Sequence, residues 1–221
     1  DGYSKSADIT VTVEPADLKT ANVEVDLAGG GEIMFTPDWK TGAGTEVTMR
    51  VVNVRVNGIT LKDEDYEVLH NKATNAGDWR LTIKAVDGSK KITGSRGVDW
   101  KVTPFTLGYF HLPWGIEKNY DGTTALPENW FTGSFAHNNR YYEGPNAITL
   151  ISSLYTCSAN YTDANVGENK TIDLALSLKS DNYRFESNLE GVSDDAKSLS
   201  LTSWTRDAVN FKINKINLPV T

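Results

Sequence analysis

Cysteine and histidine are scarce in this chain of 221 residues, which has one cysteine and three histidines. A single cysteine, Cys157, excludes an internal disulfide and a cluster of thiolate metal ligands, so we interpret it as a small core residue. His70, His111 and His137 lack the spacing of a zinc motif, and we interpret them as core, rim or surface residues. We therefore expect no metal and no other cofactor.

An excess of basic residues and a long apolar run are also missing. The net charge of −7 and the isoelectric point near 5.0 leave no basic footprint for a phosphate backbone, which argues against nucleic acid as a partner. No run of 18 apolar residues exists to cross a bilayer, so we expect no membrane contact by this fragment. The opening "DGYSKS" has no methionine and no signal-like segment, and we expect a piece of a larger exported protein.

Helical periodicity is nearly absent, and alternation of apolar and polar residues dominates instead. This pattern predicts an all-β fold made of half-buried strands. Only the segment "SDDAKSLSL", which begins at Ser193, could open a short helix. The alternating apolar positions are Val23, Val25, Leu27; Leu81, Ile83, Ala85; Ile172, Leu174, Leu176, Leu178; and Val209, Phe211, Ile213.

One strand region changes the phase of its alternation. Its apolar residues run Val47, Met49, Val51 and then Val52, Val54, Val56. Side chains on one face of a strand recur at every second residue, so this shift predicts a bulge or bend near Val51. Turns are predicted at three dipeptides that accept positive φ, namely Asn57-Gly58, Asp87-Gly88 and Asp121-Gly122.

An internal repeat indicates the domain organisation. The segment "VTVEPADL" (11–18) recurs as "WKVTPFTL" (100–107) and as "FKINKINL" (211–218), while "NAGDW" (75–79) recurs as "NVGEN" (165–169). Pro15 and Pro104 suit a short, stiff crossing between domains because proline lacks a ladder donor. We predict two tandem Ig-like β-sandwiches, at 15–104 and 105–221, with an insertion near 188–207. Residues 1–14 are interpreted as the terminal strand of a preceding unit or as an N-terminal strand.

Three motifs in the second domain occur in a recognisable order: "YDGTTA" (120–125), "YTDANVGENKTIDLALSL" (161–178) and "SDNYRF" (180–185). They resemble the YDG repeat domain of large bacterial surface proteins and filamentous haemagglutinin-like adhesins. The first domain, with "VNGITLKDEDYEV" (56–68), "TNAGDWRLTIKAV" (74–86) and "ITG" (92–94), is similar to bacterial Ig-like domains. The resemblance implies extracellular β-sandwich spacers or adhesive modules without a catalytic set. Lys215 departs from it, since it stands where the repeat would have proline.

The "YDGTT" segment is interpreted as architecture. We expect Asp121-Gly122 to reverse the chain, the ring of Tyr120 to plug the sandwich end, and Thr123 and Thr124 to restart a strand. A calcium loop would need oxygen ligands at alternate positions, which this segment lacks. The run "DANVGENKTID" (163–173) also lacks the glycine and closing glutamate of a calcium hand, and we interpret it as a loop in which Gly167 supplies positive φ.

No catalytic constellation emerges, and we expect no enzyme. The acids of "KDEDYE" (62–67) are interpreted as a solvated turn, because neighbouring residues point apart and no apolar pocket is evident to raise a carboxyl pKa. No Gly-x-Ser-x-Gly elbow exposes a serine nucleophile.

Aromatic residues offer the alternative to a purely structural role. Trp114, Trp130, Tyr141 and Tyr142 lie in loop-like sequence, where exposed rings could stack on sugar faces or form a protein hot spot. The leading hypothesis is a non-enzymatic spacer or presentation module of a bacterial cell-surface or secreted protein, whose partners are other domains of that protein. The alternative is an adhesin or carbohydrate-binding module that uses these rings to hold a glycan or a host protein.

Overall fold

The structure is a computed structural model that describes residues 13–112, 115–127, 130–137, 147–205 and 210–217. Among these residues there is no α-helix, and the only helical turns are two short 3₁₀ segments at Ala28–Gly31 and Asp63–Asp65. The all-β prediction is therefore confirmed for this part of the chain. The short helix expected from Ser193 is wrong: the segment makes a tight turn in which the Ser193 N–H donates to the Ser198 carbonyl, and a strand begins at Ser198.

Two structural units divide the chain, and neither is one contiguous stretch. Unit 1 contains Asp1–Ile33, Thr48–Lys72 and Asp78–Lys101, while unit 2 contains Met34–Val47, Ala73–Gly77 and Val102–Thr221. The division at 15–104 and 105–221 remains a prediction, because two segments of its first half belong to unit 2. Pro104 nevertheless lies between two strands, one ending at Thr103 and the next beginning at Phe105.

The first half of the described chain forms eleven strands. They are β1 (Ala16–Asp17), β2 (Val23–Leu27), β3 (Glu32–Met34), β4 (Val47–Thr48), β5 (Val51–Val56), β6 (Ile59–Thr60), β7 (Tyr66–Leu69), β8 (Lys72–Ala73), β9 (Gly77–Ala85), β10 (Ile92–Thr93) and β11 (Ser95–Thr103). The largest sheet has the order β3-β11-β9-β7, and β2-β5-β6 form a second. Strands β1 and β10 form a short parallel pair, and β4 pairs with β8.

The predicted irregularity near Val51 is a β-bulge. Leu27 pairs with Val51 and Asp26 with Asn53, so Val52 is an extra residue that has no partner in β2 and is 52% exposed. Met49, three residues before it, and Val54, two residues after it, are both buried. A bulge turns the following side chains to the opposite face, which explains the change of phase in the sequence.

The described residues of the second half add nine strands. They are β12 (Phe105–Phe110), β13 (Gly115–Asn119), β14 (Ser134–His137), β15 (Ala147–Thr149), β16 (Tyr155–Tyr161), β17 (Ile172–Leu178), β18 (Tyr183–Phe185), β19 (Ser198–Trp204) and β20 (Asn210–Asn214). One sheet has the order β15-β14-β12-β18, a second the order β16-β17-β19, and β13 pairs with β20. The β12–β18 and β13–β20 pairs are parallel.

The core of unit 2 follows the predicted alternation. Ile172, Leu174, Leu176 and Leu178 face inward from β17, and Phe211 and Ile213 face inward from β20. The region interpreted as an insertion near 188–207 contains β19, which pairs with β17 along Leu199 and Leu201. Both leucines are buried, so this segment supplies part of the core rather than a surface loop.

Candidate functional site

The "YDGTT" segment forms a tight turn at the end of β13. One carboxylate oxygen of Asp121, Oδ1, accepts hydrogen bonds from the Thr123 N–H at 2.8 Å and from the Thr123 hydroxyl at 2.9 Å. Gly122 has φ 77°, in the left-handed region that glycine enters at little cost. The predicted reversal at Asp121-Gly122 is confirmed, and it is an aspartate turn of the kind in which the side chain replaces a backbone acceptor.

Lys118 holds this turn from within β13. Its ammonium Nζ donates to Asp121 Oδ1 at 2.8 Å, to the Thr123 carbonyl at 2.8 Å and to Thr123 Oγ1 at 2.9 Å. An ammonium has three donors, so these contacts use its full capacity. The side chain is only 10% exposed, and Nζ lies 5.9 Å from the centre of the Tyr161 ring. Sequence reasoning missed Lys118, although its place two residues before Tyr120 was a signal.

The electrostatics of Asp121 reflect these contacts. Its pKa falls from the ordinary 3.8 to about 2, chiefly because of the hydrogen bond from Lys118 and then because of the two bonds from Thr123. The carboxylate is thus held ionised and engaged with its own neighbours. A general base needs a pKa near the working pH, and this group has the opposite shift.

The predicted plug at Tyr120 is wrong, because the Tyr120 ring is 42% exposed. The buried aromatic of this region is Tyr161, at the end of β16, which is 1% exposed. Its hydroxyl lies 2.9 Å from the Ile116 carbonyl on β13 and 3.1 Å from the Lys212 carbonyl on β20, and it donates toward both. Burial raises the pKa of Tyr161 to about 12, so it remains a donor. Tyr161 begins the second quoted motif, but alternation alone could not reveal this contact.

The run from 163 to 173 is a loop, but its geometry differs from the prediction. Gly167 is not in the left-handed region; the positive φ of 51° belongs to Asn169. Gly167 instead makes an antiparallel bridge with Ile213, donating to its carbonyl at 3.0 Å and accepting from its N–H at 2.9 Å. Backbone paired in a β-bridge is extended, so Gly167 cannot be the left-handed residue, and Asn169 has that conformation instead.

The acids of the same loop are paired with lysines. The Asp163 carboxylate accepts from Lys170 Nζ and from the Asn165 N–H, and the hydrogen bond from Lys170 is the main cause of its lowered pKa. Glu168 lies 2.8 Å from Lys212 Nζ, and this contact lowers the Glu168 pKa. Among the described residues, no group of three or more His, Cys, Asp or Glu side chains is arranged to hold a metal ion.

The acidic turn at 62–67 is only partly solvated, which corrects the prediction. Asp63 and Glu64 are exposed, but Asp65 is buried. Its Oδ2 accepts from Lys91 Nζ at 2.8 Å and from the Lys62 N–H at 2.9 Å. The Lys91 hydrogen bond is the largest cause of the lowered Asp65 pKa. Asp65 therefore fixes a turn in unit 1 as Asp121 does in unit 2.

Of the four aromatic candidates, only Trp130 lies within the described residues. Trp114, Tyr141 and Tyr142 lie outside the described residues. Trp130 is half-buried and packs against Phe131, with ring centres 5.7 Å apart. Phe131 in turn makes edge contacts with Phe110, Phe135 and Tyr155. Trp130 thus belongs to an aromatic cluster of unit 2, and the structure gives no platform of several exposed rings within the described part.

The remaining candidates have no shared site. His70 is exposed with φ 58°, His111 is half-buried, and the side chain of His137 lies outside the described residues. Cys157 is half-buried on β16, and burial raises its thiol pKa to about 12. A thiol with so high a pKa is a poor nucleophile because the thiolate is the reactive form.

Comparison with known proteins gives one family. Residues 112–205 match the YDG domain family, and this confirms the YDG interpretation for that part of the chain. No curated protein and no solved structure matches the chain. Among the described residues, no helix is long and apolar enough to cross a membrane.

Proposed function

We propose that this chain is a structural spacer or presentation module of a bacterial cell-surface or secreted protein, and that it is not an enzyme. The observation that carries the proposal is the use of the motif's polar atoms. Asp121, Thr123 and Lys118 satisfy one another within the turn, with Asp121 Oδ1 alone accepting three hydrogen bonds. A motif whose functional groups bond internally supports a role in shaping the domain.

The finer fold belongs to the same proposal: two tandem Ig-like β-sandwiches. In unit 2, β12 pairs antiparallel with β14, and the next strand along the chain, β13, pairs parallel with β20. A chain that passes from one sheet to the other is a feature of sandwiches with packed sheets. In unit 1 the first strand, β1, likewise pairs parallel with β10 near the end of the unit.

The experiment is a binding test that could defeat the spacer role. The purified chain is applied to an array of glycans and to immobilised extracellular matrix proteins, and the expected result is no saturable binding. If binding appears, Trp114→Ala is compared with Trp39→Ala, which changes a 41% exposed tryptophan elsewhere in unit 2. Saturable binding that Trp114→Ala abolishes and Trp39→Ala retains, with both variants folded, would replace the spacer role by that of an adhesin or carbohydrate-binding module.

A further inference from the structure

Two segments of unit 2 that lie far apart in the sequence meet in one parallel strand pair. Strand β13 pairs with β20 in unbroken register, from Gly115 opposite Asn210 to Asn119 opposite Asn214. The chain enters β13 at its amino end and leaves β20 at its carboxyl end. Tension applied between the residues just before β13 and those just after β20 would therefore pull these two parallel strands in opposite directions along their common axis.

This geometry decides how the pair fails under tension. Strands pulled along their axis are sheared, and all five residue pairs share the force at once. In an antiparallel hairpin pulled open from its end, the hydrogen bonds would break one after another. A sheared pair therefore withstands more force than an opened hairpin with the same number of bonds. We propose that the β13–β20 pair is a mechanical clamp by which unit 2 resists tension, and this deepens the spacer role on which it rests.

Tyr161 locks the two strands to each other. Its buried hydroxyl reaches the Ile116 carbonyl of β13 and the Lys212 carbonyl of β20. Sliding would carry the two carbonyls apart, so the single hydroxyl hydrogen could no longer bridge both strands. The hydroxyl thus opposes the motion that tension would drive.

The two motifs fasten the ends of the clamp. Beyond β13, the Tyr120 N–H donates to the Asn214 carbonyl at 2.9 Å, and Lys118 fixes the turn that follows. On the other side of β20, Gly167 pairs with Ile213, and the Lys170 N–H donates to the Phe211 carbonyl at 2.8 Å. Strand β20 is therefore held along both of its edges. The motif segments around Asp121 and Gly167 therefore contain residues that bond to this strand pair and hold it in place.

Single-molecule force spectroscopy on the full chain tests the clamp, with handles at Leu112 and Asn217, which flank β13 and β20, in a Cys157→Ala background. Rupture of the clamp releases residues 115 to 214, which extend to about 330–360 Å, and this length identifies the event. Tyr161→Phe keeps the ring and removes the hydroxyl. We expect the unfolding rate under a fixed force to rise about 5- to 30-fold, which corresponds to the loss of about 1–2 kcal/mol from the barrier.

Tyr183→Phe is the matched control. Tyr183 is also fully buried, and its hydroxyl donates to the Gly42 carbonyl at 2.5 Å, but neither partner lies on β13 or β20. We expect this variant to lose equilibrium stability in denaturant while its clamp rupture force stays that of the parent chain. Equal weakening in both variants, or no weakening in Tyr161→Phe, would overturn the clamp.

A second measurement does not depend on either tyrosine. Handles placed at Ser153 and Lys179, in a Cys157→Ala background, pull on adjacent ends of the antiparallel β16–β17 pair, in which Tyr155 lies opposite Leu178. We expect rupture at clearly lower force than when the same background is pulled from Leu112 and Asn217. Equal or higher force with these handles would overturn the clamp. Neither force measurement depends on ligand binding. A ligand found in the binding test would therefore contradict the spacer role without changing the result for the clamp.

Discussion

Each unit contains a parallel strand pair that joins residues far apart in the sequence, and the two pairs differ in length. In unit 1, β1 meets β10 over two residue pairs, whereas in unit 2, β13 meets β20 over five. The repeated segments that contain "PADL" and "PFTL" are similar, but they have different positions relative to these pairs. Strand β1 lies within "PADL", and after it the Asp17 carboxylate accepts the Lys19 N–H and turns the chain. The segment "PFTL" begins β12, and "GIEKN" forms β13 as a separate strand after it. Similar junction sequences can therefore precede parallel pairs of different length.

The two pairs share one device, which is a lysine near the pair that anchors an acidic turn. Lys91 precedes β10 and holds Asp65, and Lys118 lies within β13 and holds Asp121. Unit 2 adds the Tyr161 hydroxyl and the Lys212–Glu168 ion pair. We therefore expect the terminal strand of unit 2 to be the more firmly attached of the two.

The largest expected effect is the loss of the core side chain of β20. Phe211 is fully buried, and its ring centre lies 6.2 Å from that of Trp204. Phe211→Ala should reduce the unfolding free energy by about 3–5 kcal/mol, as for other buried aromatic rings. Leu18→Ala is the counterpart in unit 1, where the fully buried Leu18 follows β1, and it should cost about 2–5 kcal/mol.

Hydrogen exchange during denaturant titration measures both variants, because it follows the strands of each unit separately. Val52→Ala is the control, since Val52 is half exposed at the bulge and should change stability by no more than about 0.5 kcal/mol. If Leu18→Ala lowered the unfolding free energy of unit 1 by more than Phe211→Ala lowers that of unit 2, the stronger attachment of β20 would be refuted.

The next effect sharpens the comparison at two matched turns. Gly88 in unit 1 and Gly122 in unit 2 each follow an aspartate, with φ 78° and 77°, and an added Cβ would meet no atom within 4 Å at either position. The cost of a β-branched residue there is therefore conformational. Gly88→Val and Gly122→Val should each lower the unfolding free energy by about 1–3 kcal/mol.

Chemical denaturation of both valine variants checks this equality, with Gly88→Asn and Gly122→Asn as controls, because asparagine tolerates the left-handed region. A markedly larger loss for Gly122→Val would indicate that the turn in unit 2 has a further role beyond its conformation.

A smaller effect concerns acid. The folded pKa of Asp121 is about 2 against an ordinary value of 3.8, so its ionised form is favoured in the folded state. Its contribution is fully present above the unfolded pKa and is lost as the pH falls through about 2. The stability difference between the parent chain and Asp121→Asn should be constant above pH 4 and shrink as the pH falls through this window.

Denaturant titration at a series of pH values measures that difference. The geometry revises the sequence-based expectation that Asp121→Asn changes little: an amide still accepts from the Thr123 N–H, but it removes the charge paired with the sheltered Lys118 ammonium. A difference that persists unchanged at pH 2 would show that the ion pair with Lys118 contributes nothing.

The strands were accessible from sequence because alternation reports burial directly. The phase change between Val51 and Val52 even located a bulge, since one extra residue inverts the two faces. The composition of unit 2 was less accessible: 34–47 and 73–77 belong to it through contacts that link distant parts of the chain, such as the Ala76 N–H with Asn182 Oδ1 at 2.7 Å. No local pattern encodes such partners.

The sequence predicted that the candidate site is a turn, but it did not predict which other residues contact that turn. The Asp121-Gly122 turn follows from backbone preference, which is a local property. The hydrogen bonds of Lys118 reach only three and five positions along the chain, so its role had a local signal that was missed. The role of Tyr161 depends on which strand lies beside β13, and pairing between residues nearly 100 positions apart leaves no trace in a single sequence. The plug was assigned to Tyr120 instead of Tyr161 for that reason: both are tyrosines in motif segments, and only the fold distinguishes their exposure.

The smallest expected effect separates those two tyrosines. Tyr120 is 42% exposed, so Tyr120→Ala removes a ring that already contacts solvent, while its backbone N–H can still donate to the Asn214 carbonyl. The unfolding free energy should change by no more than about 0.5 kcal/mol, as is usual for surface positions. Ile59→Ala, at a 68% exposed position of unit 1, is the matched control and should behave alike. Denaturant titration with hydrogen exchange as the readout tests both. A specific loss of several kcal/mol in unit 2 for Tyr120→Ala would restore Tyr120 as the plug and remove the reason for assigning the strand lock to Tyr161.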